Sequence, residues 1–253
     1  MNSKNVLITG SGSGLGRAMA IRLAKEGYNI ILNGRTERKL IETKKMLENF
    51  DIEILVKVGD VSDSNFVERM VLDIVEEQKI LYGVINNAAI GGAAVPIIDI
   101  TEEKMQEIMN INFKGAWLVS KYAAKAMIKQ TELKPLRGKI INVSSIAGLE
   151  PMPSVGIYSC SKAAIISLTK ALAKELAPII TTNAICPGYH VTPIYKNDPN
   201  LIQNFWNMIN MKPLLKRVGT AEDVTGLISY LVSDDSNYMT GQIISICGGV
   251  VLH

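Results

Sequence analysis

The sequence predicts an α/β fold, a doubly wound sheet of parallel strands with helices on both faces. Three observations predict it. Seven short apolar runs alternate with longer amphipathic stretches. The runs are apolar almost throughout, as in strands buried on both faces. A glycine-rich turn joins the first run to the first amphipathic stretch. Strand-then-helix alternation builds β-α-β units with right-handed crossovers.

Taken in order, the expected strands are residues 6–9, 30–33, 52–58, 83–86, 139–143, 182–186 and 243–246. The expected helices are residues 15–26, 37–48, 65–77, 102–129, 158–176 and 221–231. No linker, repeat or low-complexity stretch divides the chain, so residues 1–253 are expected to form a single domain. Residues 188–213 lack a clear period and hold Pro193, Pro199, Phe205, Trp206, Met208 and Met211. They read as a partly helical flap covering a substrate pocket, with an ordinary surface excursion as the plainer alternative.

Composition narrows the function. With 47% hydrophobic and 20% charged residues the chain can build a substantial core. A net charge of +3 on scattered basic residues is too small to argue for nucleic acid, and no nucleic-acid partner is expected. Cys160, Cys186 and Cys247 form no C-x-x-C pair, so they read as small buried hydrophobes and no metal site is expected. No signal-peptide pattern opens the chain, and no apolar run approaches the roughly 18 residues that cross a bilayer. The expectation is a cytoplasmic protein with no membrane partner.

The first strand runs into Gly10-Ser11-Gly12-Ser13-Gly14-Leu15-Gly16, and a helix follows. Between a strand and a helix, such a turn suits a dinucleotide diphosphate. Glycine permits the tight turn and close backbone approach, and the helix N-terminus offers its N–H groups to the anion. The second strand ends Asn33-Gly34-Arg35-Thr36. An acid there would bind a ribose 2′-hydroxyl, and none is present. Arg35 can instead pair with a 2′-phosphate, which favours NADP(H) and leaves NAD(H) the second choice.

Tyr158 and Lys162 stand four apart in Tyr158-Ser159-Cys160-Ser161-Lys162 and share a helix face. A phenol titrates near 10, and an adjacent ammonium favours its ionised form. The pair can therefore move a proton at neutral pH.

With these residues in order, the chain resembles the short-chain dehydrogenase/reductase family over essentially its whole length. Thr9-Gly10-x-x-x-Gly14-x-Gly16 is similar to the family's cofactor turn. Asp60-Val61 resembles its adenine-holding pair, and Asn86-Asn87-Ala88 its strand end beside the cofactor. Asn112 and Ser145 match the two further members of an active-site tetrad with Tyr158 and Lys162. Pro187-Gly188, His190 and Thr192 lie in the segment that, by resemblance, meets the nicotinamide carboxamide. The resemblance implies a Rossmann fold of seven mostly parallel strands in the order 3-2-1-4-5-6-7. It also implies a homotetramer built through the long helices 102–129 and 158–176.

The implied reaction interconverts a carbonyl and a secondary alcohol. Ser145 polarises the carbonyl, Tyr158 exchanges the proton, Lys162 assists Tyr158 and holds the nicotinamide ribose, and Asn112 holds a relay water. The branch it most resembles is the 3-oxoacyl-[acyl-carrier-protein] reductase type, which makes a 3-oxoacyl thioester or similar ketone the expected substrate. An NAD-dependent sugar or alcohol dehydrogenase and a non-catalytic dinucleotide-binding regulator are the alternatives. Three positions depart from the pattern: Ala89 where Gly is usual, His190 where Ile or Val is usual, and Cys247 where Asp often stands. His190 is expected to contribute mainly its backbone amide.

Overall fold

The computed structural model describes residues 4–91, 95–131, 133–190 and 213–252. They form a seven-stranded sheet: β1 Asn5–Thr9, β2 Asn29–Gly34, β3 Ile54–Val58, β4 Gly83–Asn86, β5 Gly138–Val143, β6 Ile180–Pro187 and β7 Ile243–Ile246. The order is β3-β2-β1-β4-β5-β6-β7, and every pairing is parallel. The predicted strand order therefore holds. β3 begins two residues later than expected, and β6 runs longer at both ends.

Alternation along the strands divides the core into two layers. Val6 and Ile8 of β1 join the layer beneath helices α1 (Gly14–Lys25), α2 (Glu37–Leu47) and α7 (Ala221–Val232), with Met19, Leu23, Leu40, Val224 and Ile228. Leu7 faces the opposite layer, beneath α3 (Ser64–Gln78) and α5 (Gly115–Lys129), with Val67, Val71, Val119 and Met127. Both layers are closed to water, which is why the strands read as unbroken apolar runs rather than alternating ones.

Local signals set the helix ends. The Asp63 carboxylate accepts from the backbone N–H groups of Asn65 and Phe66 and starts α3. Thr220 and Asp223 form a reciprocal capping box at the start of α7. The expected helix 102–129 is interrupted. It divides into α4 (Glu102–Met109), a π-helical turn (Asn110–Lys114) and α5. Such a turn admits an extra residue into the helix and re-aims a side chain. Here the turn contains Asn112.

The winding of the sheet reverses between β1 and β4: the first two crossovers lead outward from β1 to β2 and β3, and the connection from β3 returns to β4 on the other side of β1. This is the position at which an open α/β sheet opens a crevice beyond its strand ends. The crevice is tied shut at its base by Thr9. Its hydroxyl accepts from the backbone N–H groups of both Asn87 and Ala88, each at 3.0 Å.

Candidate active site

The glycine turn packs tightly against the end of β4. A Cβ on Gly16 would lie 2.5 Å from the Gly10 carbonyl oxygen, and one on Gly10 would lie 2.9 Å from Ala88 Cα. Gly10 and Gly14 also adopt positive φ, 66° and 56°. The Asn87 side chain donates to the Thr9 and Gly10 carbonyls at 2.9 and 3.3 Å. At the head of α1, Ser13 makes no side-chain cap and no acid occupies the first turn. The first-turn N–H groups, Leu15 and Gly16 among them, thus keep the positive end of the helix for an anion. That is the fit a dinucleotide diphosphate requires.

Ser11 and Asn33 lie behind this surface. Both are fully buried, and the Ser11 N–H and hydroxyl donate to the Asn33 carbonyl at 3.0 and 3.2 Å. The Asn33 side-chain amide donates to the Lys57 carbonyl at 2.9 Å. These two residues lock the turn to β2 and β3. Arg35 reaches across the strand ends to Asp60, 3.7 Å from its carboxylate, with its own side chain 55% exposed. The other Asp60 oxygen accepts from the backbone N–H and hydroxyl of Ser62, both at 2.8 Å. Val61 is buried in the layer under α3 and α5.

The proposed chemical residues gather at the ends of β4 and β5 and on α6 (Gly156–Leu176). Lys162 is buried, and its ammonium donates to the Val143 carbonyl at 2.9 Å, the last residue of β5. Burial pushes its pKa down to about 8, with the Cys186 thiol acting in the opposite sense. Its Nζ lies 5.7 Å from the centre of the Tyr158 ring, as the four-residue spacing requires. Ser145 lies two residues beyond the end of β5, and its Oγ accepts from the Ala147 N–H at 3.1 Å. That bond uses the oxygen and leaves the hydroxyl proton to donate elsewhere. The Ser145 turn lies flat on α6: a Cβ on Gly148 would meet the Lys162 carbonyl carbon at 2.6 Å.

Asn112 is buried, and its side chain clamps the loop after β4. Its Oδ1 accepts from the Ile90 N–H at 2.8 Å, and its Nδ2 donates to the Ile90 carbonyl at 3.1 Å and to Ser161 Oγ at 3.0 Å. Ser161 in turn donates to the Tyr158 carbonyl at 2.7 Å. The structure thus links Asn112 to the Tyr158 backbone through Ser161, and Lys162 to the strand that carries Ser145. Around the Tyr158 ring lies an apolar cluster of Ile146, Ala147, Met152 and Val251, with Leu149, Val155 and Tyr189 packed on it.

Pro187 ends β6, and the Gly188 N–H donates to the Ile246 carbonyl at 2.8 Å. His190 is buried beside it. Thr192 and most of the expected flap, residues 191–212, lie outside the described residues. Sequence reasoning missed Ser144, Ser161 and Arg17, and it placed Thr9 in the turn without its bonds to Asn87 and Ala88. Ser144 donates to the Lys162 carbonyl at 2.7 Å. Arg17 ties the turn to α2 through the Gly12 carbonyl and the Thr43 hydroxyl, at 2.5 and 2.9 Å.

Comparison with known proteins agrees with this arrangement. A family model described as enoyl-(acyl carrier protein) reductase matches residues 10–251. A diacetyl reductase, (S)-acetoin forming, from Staphylococcus epidermidis is 38% identical over 98% of this chain and 99% of its own length. The 3-oxoacyl-[acyl-carrier-protein] reductase of Thermotoga maritima is 34% identical over 100% of this chain and 99% of its own. The crystal structure of an NAD+-bound xylitol dehydrogenase superposes with a TM-score of 0.89 at 32% identity, covering 97% of this chain and 98% of the other.

Proposed function

Because this chain belongs to the short-chain dehydrogenase/reductase family, and so is an oxidoreductase that uses a nicotinamide cofactor on CH–OH and C=O groups, we propose that it reduces a ketone with NADPH and that Tyr158 supplies the proton. The observation that carries the proposal is the buried Lys162 ammonium one helical turn from the Tyr158 ring. Among the described residues, this ammonium makes one hydrogen bond, to the Val143 carbonyl. Burial costs it free energy, and a role in proton transfer accounts for its position.

The bound nicotinamide supplies the hydride to the carbonyl carbon. The chain's own residues do the remainder. Ser145 donates its free hydroxyl proton to the carbonyl oxygen and polarises it. Tyr158 donates to the same oxygen and delivers its proton as negative charge develops. The Lys162 charge stabilises the phenolate left on Tyr158. Asn112 fixes the loop after β4 and, through Ser161, the Tyr158 backbone. In the reverse direction the Tyr158 phenolate takes the proton from the alcohol.

The first turn of α1 would hold the diphosphate, and Arg35 the 2′-phosphate. The NAD+-bound xylitol dehydrogenase supports NAD(H) as the second reading. The apolar cluster around Tyr158 favours a moderately apolar ketone, a 3-oxoacyl thioester or a small diketone. The resemblance also supports a cytoplasmic homotetramer. Trp117 and Ile128 on the outward side of α5 are exposed apolar side chains of the kind such an interface covers. Among the described residues, no helix is long and apolar enough to cross a membrane. Initial rates with NADPH and NADH against diacetyl, a 3-oxoacyl thioester, a sugar and a simple ketone test the proposal. Faster reduction of a ketone with NADPH is expected. Absence of cofactor oxidation across the panel would leave the regulator reading in its place.

A further inference from the structure

Among the described residues, His190 is one of the buried titratable side chains that the mechanism does not use. It stands just beyond β6. Its Nδ1 lies 3.1 Å from the Gly188 carbonyl oxygen. A carbonyl only accepts, so Nδ1 carries the hydrogen. Burial lowers the pKa of the ring, with Arg217 acting in the same sense and the Gly188 carbonyl and Asp223 in the opposite one. The resulting imidazole is a neutral donor aimed at the peptide group between residues 188 and 189.

The ring is supported from behind by backbone. A Cβ on Gly219 would lie 2.6 Å from both Cδ2 and Nε2, so a side chain there would displace the imidazole. The Gly219 N–H donates to the Tyr189 carbonyl at 2.8 Å, and residues 190 and 219 pair as a parallel bridge. The held peptide lies close to the chemistry. Cys186, two residues before Gly188, has its thiol within electrostatic reach of Ser144, Ser145 and Lys162.

We propose that His190 is a positioning residue for the nicotinamide end of the dinucleotide, its imidazole orienting the Gly188 peptide group that would bear on the carboxamide. This rests on the dinucleotide reading given above. The backbone amide alone, which any residue supplies, would not require a buried imidazole matched to a glycine.

The test is dissociation constants for the tighter of NADPH and NADH, and for ADP-ribose, which lacks the nicotinamide ring. They are measured by fluorescence titration on the wild type, His190→Val, His190→Asn and His190→Gln, each with a thermal melt. Asn places an amide nitrogen where Nδ1 stands, whereas Gln reaches toward Nε2. Loss of one neutral hydrogen bond should weaken the dinucleotide roughly fivefold in the Val and Gln variants. The Asn variant should stay within roughly twofold of the wild type, and ADP-ribose should bind all four alike. Gly219→Ala should weaken the dinucleotide in the wild type and add nothing to His190→Val. Equal loss of ADP-ribose, or no difference between Asn and Val, would overturn the role of His190 alone. A wild type that binds neither dinucleotide would sink the dinucleotide reading and this inference together.

Discussion

Arg35 and Lys162 show how burial decides what a cation does. Arg35 is half exposed, and its pairing with Asp60 at 3.7 Å belongs to the class worth about 1 kcal/mol or less. A guanidinium held so weakly is cheaply released to a phosphate, which binds it in bidentate, charge-assisted fashion. Arg35→Ala should therefore weaken NADPH by tenfold or more and NADH by less than about twofold, measured as dissociation constants. Equal loss for both would show that Arg35 does not read the 2′-phosphate. Lys162 is the opposite case, buried and committed to the Val143 carbonyl. The Tyr158 and Lys162 pair was legible because a helix converts a spacing of four into a shared face. Ser161 was not, because its meaning lies in Asn112, which is 49 residues away in the chain.

Among the elements, the glycine turn and the π-helical turn differ in how far sequence exposes them. The glycine turn was legible because each glycine answers a local requirement. Gly16→Ala should raise the dinucleotide dissociation constant by at least about tenfold, since its Cβ would be forced against the Gly10 carbonyl at 2.5 Å. Isothermal titration would detect this, and unchanged affinity would mean that the turn does not carry the diphosphate. The break at Asn110–Lys114 was not legible. Residues 102–129 keep a helical apolar period throughout, and nothing local marks the extra residue. The turn is stabilised from outside, by the bonds from Asn112 to Ile90 and Ser161. Strand order followed from the family resemblance, and the two-sided burial of the strands from their composition.

Across the whole molecule, stability should depend on pH through two buried lysines. Lys139 begins near the foot of β5 and donates to the Ser233 carbonyl and Ser236 hydroxyl at 2.5 and 2.7 Å, tying the sheet to the end of α7. Burial lowers its pKa to about 8, as it does for Lys162. Below pH 8 the folded and unfolded chains both hold these protons. Between about 8 and the ordinary lysine value near 10.4 the folded chain has released them and the unfolded chain has not, so stability rises with pH. Above about 10 the trend reverses, because burial holds the Tyr28 phenol up at about 12 and raises Tyr82 further. The urea midpoint should thus increase from pH 7.5 to 9.5, and the slope should be shallower in Lys139→Met. A flat wild-type profile would contradict the account. At the same scale, light scattering should give a mass near four times 27.6 kDa, and Trp117→Glu should lower it. A monomeric wild type would exclude the tetramer. The tetramer is implied by the family resemblance, whereas the pH dependence was not evident in the sequence, where Lys139 sits in an apolar run with no sign of its distant partners.

The most direct measurement is turnover of Tyr158→Phe with the ketone that the wild type reduces fastest, paired with its dissociation constant for the dinucleotide. Removing one hydroxyl leaves the ring in its apolar cluster but takes away the proton. Turnover should fall by roughly a hundredfold or more, while dinucleotide affinity stays within about twofold. Near-normal turnover in a variant that still binds the dinucleotide would contradict the assignment of Tyr158 as the proton donor.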